Sequence, residues 1–468
     1  MNNRKPQALL AFDLGASSGR GIIGRFQTGQ LTMAEIHRFD NRPITENGHL
    51  CWDLPTLVTQ IKLGIKKASE SYELLSIAID TWGVDYGLLD HQGQLLRLPV
   101  HYRDSSSQQS YEKLQDTFDA EKLFAATGNQ VMAINSLFRL ACEESKEQAA
   151  QLLLMPDLLG YLLTGKVLGE KTIASTTQLL DPITGDWHQA LAAQFGIRES
   201  LLPNLGQAGD FVGVLQDPEL PEIPVYKSYG HDTACAVASV PTAKEDFLFI
   251  SLGTWALAGT ETAAPVLEPA AQQLGFSNEG GRPGRNRFLK NLTGLWLIQE
   301  LQRSLARTGT HMSFQEMMEL AQASADTVLI DTQQPQLAQP EHMLEKLTKL
   351  MQAKGCLQPT VGEVIRCVYR SLATAFAQTF AEIHRLTGKT YEEIHVIGGG
   401  ARADFLCQCI AETCHKPVIA GPVEATAMGN LAAQGIGLGY LTSIHAFRRQ
   451  LTALPELKCY QPTRVQVY

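Results

Sequence analysis

The stretch FDLGASSGR, residues 12–20, sets an acid, two glycines, two serines and an arginine around one bend. Two readings fit it. Gly15 and Gly19 suit a β-hairpin whose serines solvate the turn. They equally suit a phosphate cradle, in which N–H groups and the hydroxyls of Ser17 and Ser18 reach an anion while Asp13 faces a metal ion. A single Gly/Ser turn does not decide between the two. In GHDTACAV, residues 230–237, Asp232 precedes small residues of helical character. It reads as a helix N-cap or as a carboxylate placed to accept a hydroxyl proton. SLGTWAL, residues 251–257, repeats a small polar turn at Gly253 and Thr254. VIGGGARADFL, residues 396–406, runs strand, triple glycine, helix. Gly398, Gly399 and Gly400 leave room for a flat ring or ribose, with more glycine than a tight strand-to-helix turn needs. No GK[ST] follows, so this is not a P-loop.

These residues need elements to hold them. Residues 7–40 read as a three-strand meander with TGQ at the second turn. A helix follows, with Leu57, Ile61, Ile65 and Ala68 on one face, Asp53 placed to cap and Pro55 in the first turn. LLSIAIDTWG returns as a buried strand. The middle of the chain suggests two helices broken around Pro156, and proline-rich LQDPELPEIPVY, residues 215–226, an extended or linking stretch. The expected domains are therefore 1–228 and 229–468. Residues 245–261 repeat the opening strand–turn–strand. Such duplication predicts two α/β lobes facing across a cleft, the usual place for a small ligand.

Composition narrows the partners. The chain has 468 residues, 44% of them hydrophobic, and a net charge of −9 without a basic tract. That speaks against nucleic acid or an anionic membrane as partner. The early apolar run is cut by Asp13, so no signal peptide is expected, and no stretch reaches transmembrane length. Nine scattered cysteines fit a reducing, cytoplasmic setting. The cluster CQCIAETCH, residues 407–415, reads as helix, which turns Cys407 and Cys409 to nearly opposite sides. Cys407, Cys409, Cys414 and His415 are thus expected to be a buried-thiol segment, not a zinc site.

In order, FDLGASSGR, DTWGVD, GHDTACAV, SLGTWAL and VIGGGA resemble the motifs of the FGGY carbohydrate kinases along nearly the whole chain. Most of that family has threonine after the first DxG, whereas this chain has Ala16, as the rhamnulokinase group does. IDTWGVDYGLLD, LPVHYRD and NEGGRPGRNRFLKNLTGLWLIQE also resemble that group. The resemblance implies two actin-like ATPase (ribonuclease H-like) domains, the first on the sugar and phosphate side and the second on the nucleotide side. It implies ATP-dependent phosphorylation of L-rhamnulose at the 1-hydroxyl, in L-rhamnose degradation. Other ketoses, L-fuculose or L-xylulose, are the alternative, and a non-catalytic actin-like ATP-binding module is a further one.

The same resemblance implies site roles. Asp232 would be the base. Asp13 would hold Mg2+ through water, and Ala16, Ser17, Ser18, Gly19 and Arg20 would line the γ-phosphate. Thr254, Gln299 and Gly399 would contact ATP. Gly83, His231, Asp232, Thr233 and Asn291 would contact the sugar. Trp82 reads as core packing before sugar stacking. The expected partners are a small ketose and ATP, with the protein a monomer or weak homodimer.

Overall fold

A computed structural model describes residues 5–27, 30–326 and 328–463. Two compact units divide the chain. One is Met1–Ser239 with Thr262–Phe288 and Ala425–Leu451; the other is Val240–Glu261 with Leu289–Glu424 and Thr452–Tyr468.

In the first unit β1 (Gln7–Leu14), β2 (Ser18–Gln27) and β3 (Gln30–Asp40) form the expected antiparallel meander. Thr28 and Gly29 of its second turn lie outside the described residues. Helix α1 (Leu54–Ser71) starts at Asp53, whose carboxylate accepts the Thr56 N–H at 3.1 Å. Its buried Leu57, Ile61, Ile65 and Ala68 join Leu10 and Phe12 of β1 in one core. Strand β4 (Glu73–Thr81) returns parallel to β1. Both strands lie inside the sheet, which is why they read as continuous apolar runs.

The middle of the chain differs from expectation. Helices Ser136–Cys142 and Met155–Thr164 are parted by a strand, Gln151–Leu154. Pro156 lies in the first turn of the second helix. There its missing N–H would have had no partner, so it begins that helix and does not break one. Of the two readings of the proline-rich stretch, the extended one holds at its end, which is a strand. β5 (Phe211–Val214) and β6 (Pro224–Tyr226) complete the first unit's sheet in the order β5-β6-β4-β1-β2-β3. Pro224 opens its strand, a position that tolerates a lost donor. Helix α2 (Asp232–Ala238) follows.

The second unit repeats the plan. β7 (Leu248–Leu252) and β8 (Trp255–Thr262) form a hairpin. β9 (Phe276–Gly280), which falls in the first unit's Thr262–Phe288, leads through a tight turn into β10 (Asn286–Thr293), and α3 (Trp296–Arg307) follows. β11 (Ile394–Ile397) is parallel to β7. After α4 (Asp404–Cys414), β12 (Val418–Ala420) is parallel to β11. Helix α5 (Ala425–Gly437) belongs to the first unit, and β13 (Lys458–Tyr460) lies antiparallel to β12. The seven-stranded sheet runs β9-β10-β8-β7-β11-β12-β13, and apart from the edge strand β9 it matches β3-β2-β1-β4-β6-β5 strand for strand. This is the duplication that the sequence pattern suggested.

Helix α5 explains its own small-residue sequence. It crosses α2 so closely that a Cβ on Gly429 would overlap the Cys235 carbonyl. Its polar residues are buried with partners. Asn430 donates to Asp80 Oδ2 at 2.7 Å, and Gln434 donates to the Leu10 carbonyl at 3.1 Å while accepting from Ser76 at 2.6 Å. Only a residue without a side chain allows α2, the helix that begins at Asp232, to lie this low on α5.

Gly429→Ala should therefore lower stability by about 1–3 kcal/mol, the cost of overpacking a backbone contact. Gly160, inside Met155–Thr164, has nothing within 4 Å of an added Cβ. Gly160→Ala should be neutral, or stabilising by up to about 1 kcal/mol. Urea unfolding of both variants checks the contrast; equal effects would contradict the close crossing.

Candidate active site

The carboxyl ends of adjacent strands carry the acids. The parallel register of β1 and β4 sets Asp13 beside Asp80. At the next strand along, the loop after β6 is tied to β4 by the Thr81 N–H, which donates to the Gly230 carbonyl at 2.9 Å. The same loop hangs on Glu170, whose buried Oε2 accepts from the N–H groups of Gly230, Thr172 and Ile173 at 2.8, 2.9 and 3.1 Å. These bonds deliver Asp232 to the first turn of α2. His231 takes the cap position, so Asp232 is not the N-cap that its sequence context also allowed. In open α/β sheets this edge of the strands is where ligands bind.

Asp232 is the accessible acid of the group, its side chain 32% exposed against 12% for Asp13. Its Oδ1 accepts from Thr233 N at 2.5 Å and Thr233 Oγ1 at 3.0 Å, and His231 Nε2 lies 3.4 Å away. No partner of Oδ2 is found among the described residues. The predicted sugar contacts His231 and Thr233 are thus brought to Asp232 itself.

Asp80 is fully buried, and its Oδ1 has no hydrogen-bond partner. Burial first, then the charge of Asp13, push its carboxyl well above the usual range, against the Asn430 bond that lowers it. Arg20 pairs with Asp13 at 2.5 Å. The bend between them is a hairpin: Gly15 N donates to Ser18 O at 2.9 Å, and Asn41 straps it through Gly15 O at 2.9 Å. Gly19 has a packing reason, since a Cβ there would strike Phe39 and Leu14. Ala16 packs on the core, and Ser17 is exposed. Among the described residues no three His, Cys, Asp or Glu side chains stand close enough to enclose a metal. Hard carboxylate oxygens at Asp13 nonetheless suit Mg2+ that keeps most of its water.

The second unit holds its own predicted residues. Gly253 and Thr254 make a tight turn after β7, with Gly253 N donating to Trp255 O at 2.9 Å. Thr254 Oγ1 donates to Gln299 Oε1 at 3.3 Å, so those two predicted nucleotide contacts meet. The triple glycine is mostly structural. Gly398 has φ +82°, and a Cβ on Gly400 would clash with Leu252. Only Gly399 is open, with nothing within 4 Å. Asn291 is exposed on β10.

Trp82 is core: it lies 3.8 Å from the Trp52 ring, and its Nε1 donates to Asp85 at 3.1 Å. Gly83 leads into Val84, whose φ of +66° is strained for a β-branched residue. The strain is held by Thr176, which accepts the Val84 N–H at 3.0 Å. Strain of this kind collects at functional sites. Local sequence pattern alone does not single out Val84, Glu279 or Arg287. Asp80 carried a signal, being a lone acid in an apolar strand.

Glu279 and Arg287 form a buried ion pair at 2.9 Å, and Glu279 Oε2 lies 3.2 Å from His231 Nδ1. Burial raises the Glu279 carboxyl, but Arg287 and His231 more than offset it and leave it at about 2. A carboxyl held low adds stability above its ordinary value of 4.5 and loses it as pH falls toward 2. Glu279→Gln should be less stable near neutrality by about 3 kcal/mol. That gap should narrow as pH drops through this window. Urea midpoints across acid pH check it; a constant gap would contradict the pairing.

The comparisons with known proteins agree with this architecture. The model of the FGGY family of carbohydrate kinases, N-terminal domain, matches residues 8–237, and that of the C-terminal domain matches residues 248–438. The rhamnulokinase of Halalkalibacterium halodurans is 36% identical over 96% of this chain and 98% of its own. That of Enterococcus faecalis is 38% identical over 97% and 94%, and that of Bacillus subtilis 36% over 97% and 95%. Among solved structures, xylulose kinase from Lactobacillus acidophilus superposes with TM-score 0.78 at 15% identity, covering 97% of this chain and 94% of its own. Plasmodium falciparum glycerol kinase with ADP gives TM-score 0.78 at 12% identity, covering 99% and 95%. These structures show the shared actin-like ATPase fold. Matched by family models in both halves, the chain belongs to the FGGY family of carbohydrate kinases.

Proposed function

We propose that this chain transfers the γ-phosphoryl group of ATP to the 1-hydroxyl of L-rhamnulose. The observation that carries the reading is Asp232: an accessible carboxylate at the strand ends, with Oδ1 engaged by its neighbours and Oδ2 left to take a proton. The bond from γ-phosphorus to its bridging oxygen breaks, the bond to O1 forms, and the O1 proton passes to Oδ2 and on to water. Phosphoryl transfer asks mainly for position and charge. Arg20, beside Asp13, supplies charge, and N–H groups of residues 16–19 line the transferred group. Asp13 would hold Mg2+ through water, and the ion would there offset phosphate charge. Thr254, Gln299 and Gly399 are assigned to the nucleotide; Gly83, His231, Thr233 and Asn291 are assigned to the sugar. The ketose itself is supported by the near full-length likeness to proteins named rhamnulokinase.

No described helix is long and apolar enough to cross a membrane. A cytoplasmic monomer or weak homodimer acting in L-rhamnose breakdown completes the proposal.

Asp232→Asn should fold and still bind ATP but lose about a thousandfold in turnover, or roughly 4 kcal/mol of barrier. Asparagine keeps the hydrogen bonds at Oδ1 but cannot take the proton. Retention of more than about a tenth of wild-type turnover, with chemistry rate-limiting, would remove Asp232 as base.

Substrate choice is tested by kcat/KM over a ketose panel. L-rhamnulose should rank first. L-fuculose and L-xylulose should be slower but measurable, since one methyl group is worth only about 1–3 kcal/mol, roughly 10–200-fold. Glycerol should be nearly inert. Glycerol or D-xylulose ahead of L-rhamnulose would overturn the substrate while leaving the kinase.

A further inference from the structure

We propose that Glu279 and Arg287 are positioning residues that lock the His231 ring with its Nε2–H toward Asp232 Oδ1, so that Oδ2 alone is left to accept the sugar proton. The proposal rests on the reading of Asp232 as base and adds the machinery that orients it. Glu279 and Arg287 both lie in NEGGRPGRNRF.

The β9–β10 hairpin brings them together. Its glycines let it sit close to the segment that carries His231. A Cβ on Gly280 would come within 3.1 Å of Thr172 Cα, and Gly280 N donates to Ser175 Oγ at 2.7 Å. Thr172 Oγ1 in turn accepts the His231 N–H at 3.3 Å. One short segment therefore fixes both the hairpin and the histidine backbone.

The ring is fixed from the other side. Arg287 is wholly buried; its Nε donates to the Gly280 carbonyl at 2.7 Å, and its Nη2 reaches His231 Nδ1 at 3.2 Å and Glu279 Oε2 at 2.9 Å. A guanidinium only donates. His231 Nδ1 therefore lies between a donor, Arg287 Nη2, and an acceptor, Glu279 Oε2, each at 3.2 Å, so this edge of the ring is held in either protonation state and Nε2 is turned the other way. Nε2 is the atom that lies 3.4 Å from Asp232 Oδ1. Glu279, 3.2 Å from Nδ1, neutralises Arg287 and closes the set. A buried ion pair is poor value as a fold stabiliser, since apolar residues of similar size do as well. Two opposite charges arranged around one imidazole make sense where that imidazole must face one way.

The test is a double-mutant cycle on the intact enzyme, assayed with L-rhamnulose and ATP. Glu279→Gln should lower kcat by about 10–100-fold, the usual size for a partner that orients a functional histidine. KM for ATP should stay within about twofold. In a His231→Asn background the same change should cost less than about twofold, because the ring it orients is gone. Wild-type kcat in Glu279→Gln, or an equal loss in both backgrounds, overturns the proposal. A second measurement reads the wild-type ring directly. Imidazole 15N spectra of the wild type, with His231 assigned by its absence in His231→Asn, should show the proton on Nε2. A proton on Nδ1 of neutral His231 overturns it. Loss of the base reading is separate: it shows as turnover in Asp232→Asn, whatever Glu279 does.

Discussion

Two carboxylates side by side govern the first unit. The parallel register of β1 with β4 leaves Asp13 and Asp80 no choice but to be neighbours, one of them fully buried. Like charges at that range do not both ionise in low dielectric. The fold answers with position. Burial and Asp13 drive Asp80 toward its neutral form, Asn430 binds its Oδ2, and Arg20 faces Asp13 across the first hairpin. Asp13 then stands at the edge of the sheet beside a cation, with Asp232 at the next strand end. That is a suitable arrangement for a metal ion and phosphates, and an unsuitable one for an empty apolar core.

Much of the surrounding sequence follows from that constraint. Asn430 reaches Asp80 only because α5 lies directly on β1 and β4, and α5 lies there because its residues are small. Gly429 gives way to the Cys235 carbonyl, which fixes α2 and hence Asp232. The loop before α2 is held by Glu170 below and by Thr81 at the end of β4. Position thus passes from strand register to helix packing to Asp232.

The sequence made the framework legible because periodicity and turn chemistry are local. The meander of residues 7–40, the Asp53 cap and the strand–turn–strand repeat at residue 245 all appear in the structure. Asp13, Arg20 and Asp232 stood out because acids and bases beside glycine turns are visible in one dimension. Asp80 was hidden inside a strand motif, and its importance depends on register with a strand far away in sequence. Glu279 and Arg287 were hidden for the same reason: only the hairpin brings them to His231. Pro156 misled because proline breaks a helix in its middle but suits its first turn. The triple glycine misled in part, since φ at Gly398 and the Leu252 contact at Gly400 account for two of the three.

The most direct measurement is the position of the transferred phosphate. The intact protein, given ATP, Mg2+ and L-rhamnulose, is followed by 31P and 13C NMR until ADP accumulates. We expect one phosphate ester, with phosphorus coupled to the C1 methylene carbon, in step with ADP. Phosphorus on another carbon, or ADP formed with only inorganic phosphate, would contradict transfer to the 1-hydroxyl under Asp232.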